Sequence, residues 1–250
     1  LEHILPELPK RKVWVDVFAG SGVVSWNREP SEINIYNDLF EGVNCFFTML
    51  KSYPLMDAFF DMLKITINSR EDFWWYKKQW QLDDDLLTKA FHWFCCTQLS
   101  IHGTRVGWSR SKIKAVNKLL LSADKKQELI KIHYLLKKFK LEQLDAIECI
   151  RKYDSSDTVF YVDPPYLGTR QCYDIPMRNP KHHSDLLDVI FNCKGYFAVS
   201  MYRHPIYDSY NWDEEFYWDT IQHVNLLDGS TGGKAKKDKS IGTEVLYVKH

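Results

Sequence analysis

The sequence predicts an α/β protein, a doubly wound and mostly parallel sheet interrupted by a helical insertion. Two observations predict the sheet and a third the insertion. Short β-branched and aromatic runs recur at "KVWVDV", "EINIY", "TVFYV", "GYFAVSMY" and "TEVLYV", each a buried-strand pattern. A helical pattern, "SDLLDVIFNC", falls between strand runs, and alternation of this kind favours parallel strands joined by crossover helices. From about residue 50 to 138 strand patterns vanish and helical ones follow in series. The expected organisation is therefore an α/β unit built from residues 1–50 and 139–250, with residues 51–138 inserted as a helical part.

The elements justify themselves in order. "KVWVDV" runs into "FAGSG", where Gly20 and Gly22 allow a tight turn and a close approach of backbone to a ligand. "EINIY" ends at "ND", and the helix "LFEGVNCFFTML" follows. "DAFFDMLKI", "REDFWWYKKQW", "DLLTKAFHWFCCTQLS" and "DKKQELIKIHYLLKKF" read as the insertion's helices. Phe73, Trp74, Trp75, Phe91, Trp93 and Phe94 lie at helical spacings and are expected to form its core. "SIHGTRVGWSRSKIKAVNK" reads as a basic loop. "TVFYVDPPY" is a strand stopped by two prolines, which remove ladder donors and stiffen the turn. In "NPKHH", Asn179 is expected as N-cap and Pro180 at the first helical position, with His182 and His183 as polar first-turn residues. "DGSTGGKAKKDKS" reads as a mobile loop before the last strand.

Composition narrows the class. A chain of 250 residues, 45% hydrophobic and 26% charged, can bury a full core without a membrane span. No signal-peptide pattern is present, so a cytoplasmic protein is expected. The six cysteines are scattered with no C-x-x-C pair, which predicts reduced packing thiols and no metal site. A formal net charge of zero excludes nucleic-acid binding by bulk charge, so any basic surface must be local.

Strand ends carry the chemistry, because open α/β sheets bind ligands beyond the carboxyl ends of their strands. Asp38 lies some 20 residues past the glycine turn, the spacing at which an acid holds ribose hydroxyls. Alternatively Asn37 or Asp38 caps the following helix. No phosphate-binding G-K-[ST] and no complete G-x-G-x-x-G occur, so a nucleoside cofactor without phosphates fits better than a dinucleotide. D-P-P-Y adds a possible substrate. The lone pair of a planar exocyclic amine is delocalised into its ring. Asp163 and the carbonyl of Pro164 are two acceptors that localise it, and Tyr166 stacks on the ring. A cationic methyl donor opposite makes alignment the main requirement, and a duplex base has to be flipped out first.

"WVDVFAGSGVV", "IYNDLFEGVNCFF", "LDAIECIRKYDSSDTVFYVDPPY" and "TEVLYV" together resemble the Dam-type DNA adenine-N6 methyltransferases, over most of the chain except the insertion. The resemblance implies a Rossmann-like methyltransferase fold, S-adenosylmethionine as cofactor, double-stranded DNA as partner, and a monomer. It implies that Phe18, Gly20 and Gly22 line the cofactor with the retained acid Asp16, that Asp38 holds its ribose and that Asp145 meets its adenine. Asp163, Pro164, Pro165 and Tyr166 would be catalytic. The insertion would recognise the DNA target, with Arg105, Arg110, Lys112, Lys114 and Lys118 following phosphates or reading guanine, and Trp108 stacking or wedging. Two departures stand out. The chain opens at "LEHILPELP" without the family's glycine-glycine-lysine segment, for which "TGGK" at 231–234 is a chance match, and "DVF" replaces the usual acid-proline pair. The rival readings are an RNA or other exocyclic-amine methyltransferase on the same fold, a cytosine-N4 enzyme, and a non-catalytic DNA-binding accessory protein.

Overall fold

The computed structural model describes residues 1–67, 69–100, 103–109, 119, 121–167, 177, 179–222 and 240–250, the side chains of 221, 222, 240 and 241 excepted. Seven strands form one sheet: β1 (Val13–Asp16), β2 (Ile33–Asn37), β3 (Phe139–Glu142), β4 (Thr158–Val162), β5 (Tyr196–Tyr202), β6 (Glu214–Gln222) and β7 (Ser240–Lys249), in the order β3-β2-β1-β4-β5-β7-β6. Strands β1 to β5 pair in parallel. Strand β7 runs antiparallel to both β5 and β6. The order reverses between β1 and β4, which places the ligand crevice at their carboxyl ends.

Period-2 alternation along the strands sorts side chains to two faces. Trp14, Tyr36, Tyr161 and Leu246 face one core, and Val15, Ile35, Phe160 and Tyr247 the other. Strand β4 is buried along its whole length, as a central parallel strand covered on both faces must be. The second core is covered by α7 (Ala146–Tyr153), α8 (Pro180–Phe191) and α9 (Pro205–Asp208). The first lies under the short α1 (Val23–Asn27), α2 (Glu41–Lys51) and the insertion: α3 (Tyr53–Ile65), α4 (Arg70–Gln79), α5 (Leu86–Leu99) and α6 (Ala123–Leu136). Helix α2 is the hinge of this layer, packed on α3, α5, α6 and β3. Aromatic rings run without a break from sheet to insertion. Tyr36 meets Phe47 at 5.0 Å, Phe47 meets Phe46 at 5.4 Å, Phe46 stacks on Phe94 at 5.4 Å, and Phe94 meets Phe59 at 5.2 Å.

The helix starts follow their caps. Ser69 and Asp72 close a capping box on α4, and Asp85 and Ser122 accept from Thr88 N and Lys125 N. Asn179 accepts from Lys181 N with Pro180 as the first helical residue, as expected.

The structure departs from the sequence reading at several places. Helix α6 stops at Leu136, and Phe139 opens strand β3 against Asn34 of β2. Four residues alternating in polarity are too short a signal to separate from a helix end. Strand β6, "EEFYWDTIQ", was not anticipated, because an edge strand paired on one side carries polar residues freely. Trp74 and Trp75 are 49% and 53% exposed. Helix α4 spends its buried stripe on Phe73, Tyr76 and the following Trp80, and the two tryptophans fall on the opposite side. His183 is fully buried, with Nδ1 on Tyr207 Oη and Nε2 on the Met177 carbonyl. No helix among the described residues is long and apolar enough to cross a membrane.

Candidate active site

The carboxyl ends of β1, β2, β4 and β5 enclose a cavity of about 680 Å³. Strand β1 delivers Asp16, which is 1% exposed. Its Oδ2 accepts from Ser25 Oγ at 2.7 Å, and that oxygen accepts from Trp14 Nε1 at 2.9 Å. Its Oδ1 is buried with no partner among the described residues. Burial raises the carboxyl to about 7, with the charges of Asp163 and Asp38 adding to the rise and Ser25 and Arg28 opposing it.

After β1 the backbone turns through Gly20 and Gly22, at φ 52° and 69°. Gly20 N donates to Asp38 Oδ2 at 2.7 Å, so the turn is bolted to the end of β2. Phe18 and Gly20 line the cavity. Gly22 does not: it sits one step behind as N-cap of α1, where a Cβ would lie 2.3 Å from the Trp26 ring. Its role is to let Trp26 pass.

Asp38 resolves the choice between capping and lining in an unexpected way. Helix α2 begins after Phe40 with no side-chain cap, while Asp38 accepts from Phe40 N at 2.8 Å and from Gly20 N. The carboxylate thereby fixes both loops and still lines the cavity. Burial raises its proton affinity against these two hydrogen bonds. Asn37 holds the strand ends in register, donating to the carbonyls of Val17 and Leu144 and accepting from Leu144 N. Beyond β3, Asp145 caps α7 through Ile147 N at 2.9 Å and also lines the cavity.

Strand β4 delivers Asp163 to the opposite wall, followed by Pro164, Pro165 and Tyr166, all lining the cavity. Burial raises Asp163 to about 7; the nearby Tyr166 hydroxyl opposes the rise and the charge of Glu244 adds to it. The Tyr166 ring meets Tyr202 edge-on at 4.7 Å. Its hydroxyl donates to Glu244 Oε1 at 2.8 Å and lies 2.9 Å from Ser200 Oγ. Sequence reasoning missed Ser200, Tyr202 and Glu244. Ser200 and Tyr202 sit at the end of "GYFAVSMY", where the strand-end rule points once that strand is placed.

Of the residues expected to meet DNA, Arg110, Lys112, Lys114 and Lys118 lie outside the described residues, as do Cys172 and most of "DGSTGGKAKKDKS". Arg105 and Trp108 are described, and both turn toward the protein. The Arg105 guanidinium lies 4.6 Å from the Phe40 ring centre and 5.8 Å from that of Trp93. Trp108 bridges to Ser100 and meets Phe73 at 6.0 Å. The 103–109 segment borders the cavity, since Thr104 and Phe40 line it. Among the described residues no cluster of His, Cys, Asp and Glu has the arrangement of a metal site.

Comparison with known proteins completes the picture. A search among curated proteins found no match to the chain. A family model, that of the D12 class N6 adenine-specific DNA methyltransferases, matches residues 1–228, which takes in the glycine turn, the acid after β2, the insertion and D-P-P-Y. The chain belongs to this family and is an enzyme that methylates adenine N6 in DNA.

Proposed function

We propose that the cavity binds S-adenosylmethionine and that Asp163, Pro164 and Tyr166 engage an adenine turned out of duplex DNA. The observation that carries this reading is the buried, unpartnered Oδ1 of Asp16 in a cavity also lined by Asp38, Asp145 and Asp163. Carboxylates so placed favour a ligand bringing cations and hydroxyls, and S-adenosylmethionine has a sulfonium, an ammonium and a ribose diol. Asp16 is placed for a cationic group. Asp38 spends one lone pair on each backbone N–H and keeps others for hydroxyls. Asp145 is left one carboxylate oxygen beyond its cap for the adenine amino group.

When bound, the cofactor supplies a methyl group activated by the positive sulfonium. The chain's residues supply alignment. Asp163 and the Pro164 carbonyl accept the two N–H bonds of the target amine and localise its lone pair, while Tyr166 provides a face on which the base stacks. A carboxyl near 7 is also suited to hold, on Asp163, the proton that the nitrogen sheds as it becomes cationic. In this reading residues 51–138 recognise the DNA, supported by the place of the 103–109 segment at the cavity rim. Arg105 and Trp108 anchor that rim on Phe40 and Phe73, and Arg110, Lys112 and Lys114 meet phosphates.

The test is methylation of plasmid DNA with methyl-labelled S-adenosylmethionine, followed by nucleoside analysis. Label in N6-methyladenine that disappears in Asp163→Ala, with cofactor affinity kept within a few-fold, is the expected result. Undiminished transfer by Asp163→Ala would overturn the assigned chemistry.

A further inference from the structure

We propose that Glu244 is the positioning residue for the catalytic tyrosine: reaching in from the antiparallel strand β7, it clamps the Tyr166 hydroxyl and so fixes the ring on which the target base stacks. The inference rests on the role given above to Tyr166 and Asp163.

Glu244 owes its place to topology. Because β7 runs against its neighbours, its early residues lie level with the carboxyl end of β5, and Glu244 pairs with Tyr202 on one side and Trp218 on the other. Both oxygens of its carboxylate accept hydrogen bonds. Oε1 accepts from Tyr166 Oη at 2.8 Å and from Ser200 Oγ at 3.1 Å, and Oε2 accepts from Trp218 Nε1 at 3.2 Å. Two strands thus hold the acid while it holds the tyrosine. Tyr202, its cross-strand neighbour, packs at right angles against the same ring at 4.7 Å. The tyrosine is therefore held at its tip by Glu244 and packed at right angles against Tyr202 before any base arrives, which is the preorganisation a stacking platform needs.

The carboxylate also acts on Asp163 through its charge. Asp163 is faced by Asp16 from β1, Tyr161 from its own strand, Tyr166 from the following turn, Tyr202 from β5, Tyr207 from α9 and Glu244 from β7. Of these, Glu244 is the anion whose charge contributes to the raised proton affinity of Asp163. Removing the charge while keeping the hydrogen bond therefore separates the two effects.

Glu244→Gln and Glu244→Ala are compared with the wild type, with Tyr166→Phe and with the Tyr166→Phe/Glu244→Ala double variant, all on the full chain. Asp163→Ala serves as the inactive control. Glu244→Ala is expected to lower kcat about tenfold to a hundredfold, the effect of a misplaced reacting geometry, with S-adenosylmethionine affinity within twofold. Tyr166→Phe should lose a similar factor, and the double variant little more than either single one, because both remove the same hydrogen bond. Glu244→Gln, which keeps an acceptor for the hydroxyl, should recover most of kcat while its acidic pH limb moves to lower pH. Fluorescence of 2-aminopurine at the target position should report weaker stacking in Glu244→Ala, Tyr166→Phe and the double variant, and near wild-type stacking in Glu244→Gln. Fully additive losses, an unmoved pH limb in Glu244→Gln, or wild-type kcat in Glu244→Ala would each overturn the proposal. Loss of cofactor binding in step with kcat would overturn it too, as a general structural role. Should Glu244→Ala fail to fold, Glu244→Gln and Tyr166→Phe decide through the pH limb and the stacking signal. An inactive wild type would refute the catalytic reading itself, whereas the stacking signal would still judge the clamp.

Discussion

Replacing Asp16 with Asn should make the empty protein more stable at alkaline pH and at the same time a poorer binder of its cofactor. Asp16 is 1% exposed and held at about 7 instead of its ordinary 3.8, burial being the main cause. The folded state thus keeps a proton that the unfolded chain releases. Between about pH 4 and pH 7 folding binds protons, so stability falls as pH rises and the full penalty is present above 7. At 1.36 kcal/mol for each tenfold change in proton affinity, the whole rise corresponds to about 4 kcal/mol; water in the cavity screens part of the charge, which leaves about 2–4 kcal/mol. Asn keeps an oxygen for the Ser25 hydroxyl but cannot ionise. Thermal unfolding of the cofactor-free protein at pH 5 and pH 8 should show the wild type losing stability with pH and Asp16→Asn losing distinctly less, at about 2–4 °C per kcal/mol for a chain of this length. Calorimetric titration with S-adenosylmethionine should show at least tenfold weaker binding, about 1.4 kcal/mol. Equal pH slopes with unchanged affinity would refute the reasoning, since Asp16 would then be neither the ionising group nor a ligand.

Two further outcomes follow from the same geometry. Gly22→Ala places a Cβ 2.3 Å from the Trp26 ring at a φ of 69°, and should cost about 2–4 kcal/mol in urea unfolding from left-handed strain plus a displaced core ring. For Glu142, burial pushes the carboxyl up, but hydrogen bonds from Lys140, Tyr153 and Lys152 outweigh it and hold the group at about 2. That stabilisation is present above about pH 4.5 and lost as pH falls toward 2. Glu142→Gln should therefore cost about 1–2 kcal/mol at pH 7 after allowing for its half-exposed lysine partners, with the difference from wild type closing at pH 2.

The sequence made some parts of this site plain and hid others for identifiable reasons. "FAGSG", "YND" and "VDPPY" are local statements, in which an acid, a glycine or a proline sits at the end of a strand and its meaning needs no partner. Asp16, Gly20, Asp38 and Asp163 accordingly meet in one cavity. Gly22 shows the limit of that reading, since its neighbour in space is Trp26 and not the ligand. Glu244 was invisible because the strand-end rule inspects carboxyl ends, whereas β7 is reversed and contributes from its beginning. Arg105 and Trp108 were read as DNA contacts in a basic loop, and their ring partners within the chain, Phe40 and Phe73, could not be read there because they lie more than 30 residues away in sequence. Trp74 and Trp75 were misplaced because two adjacent residues cannot share one narrow buried stripe.

The unbroken file of rings from Tyr36 to Phe59 bears on how such an enzyme changes its target. An insertion with a private core behaves as a cassette: it can be lifted out, exchanged with that of a relative, or allowed to melt on its own. Here the aromatic layer that supports the insertion is the same one that covers the sheet, so a graft cut at its sequence borders would leave half an interface on each side. On the proposed role of residues 51–138 in recognising DNA, new specificity has to be acquired residue by residue on the rim, with the scaffold inherited whole.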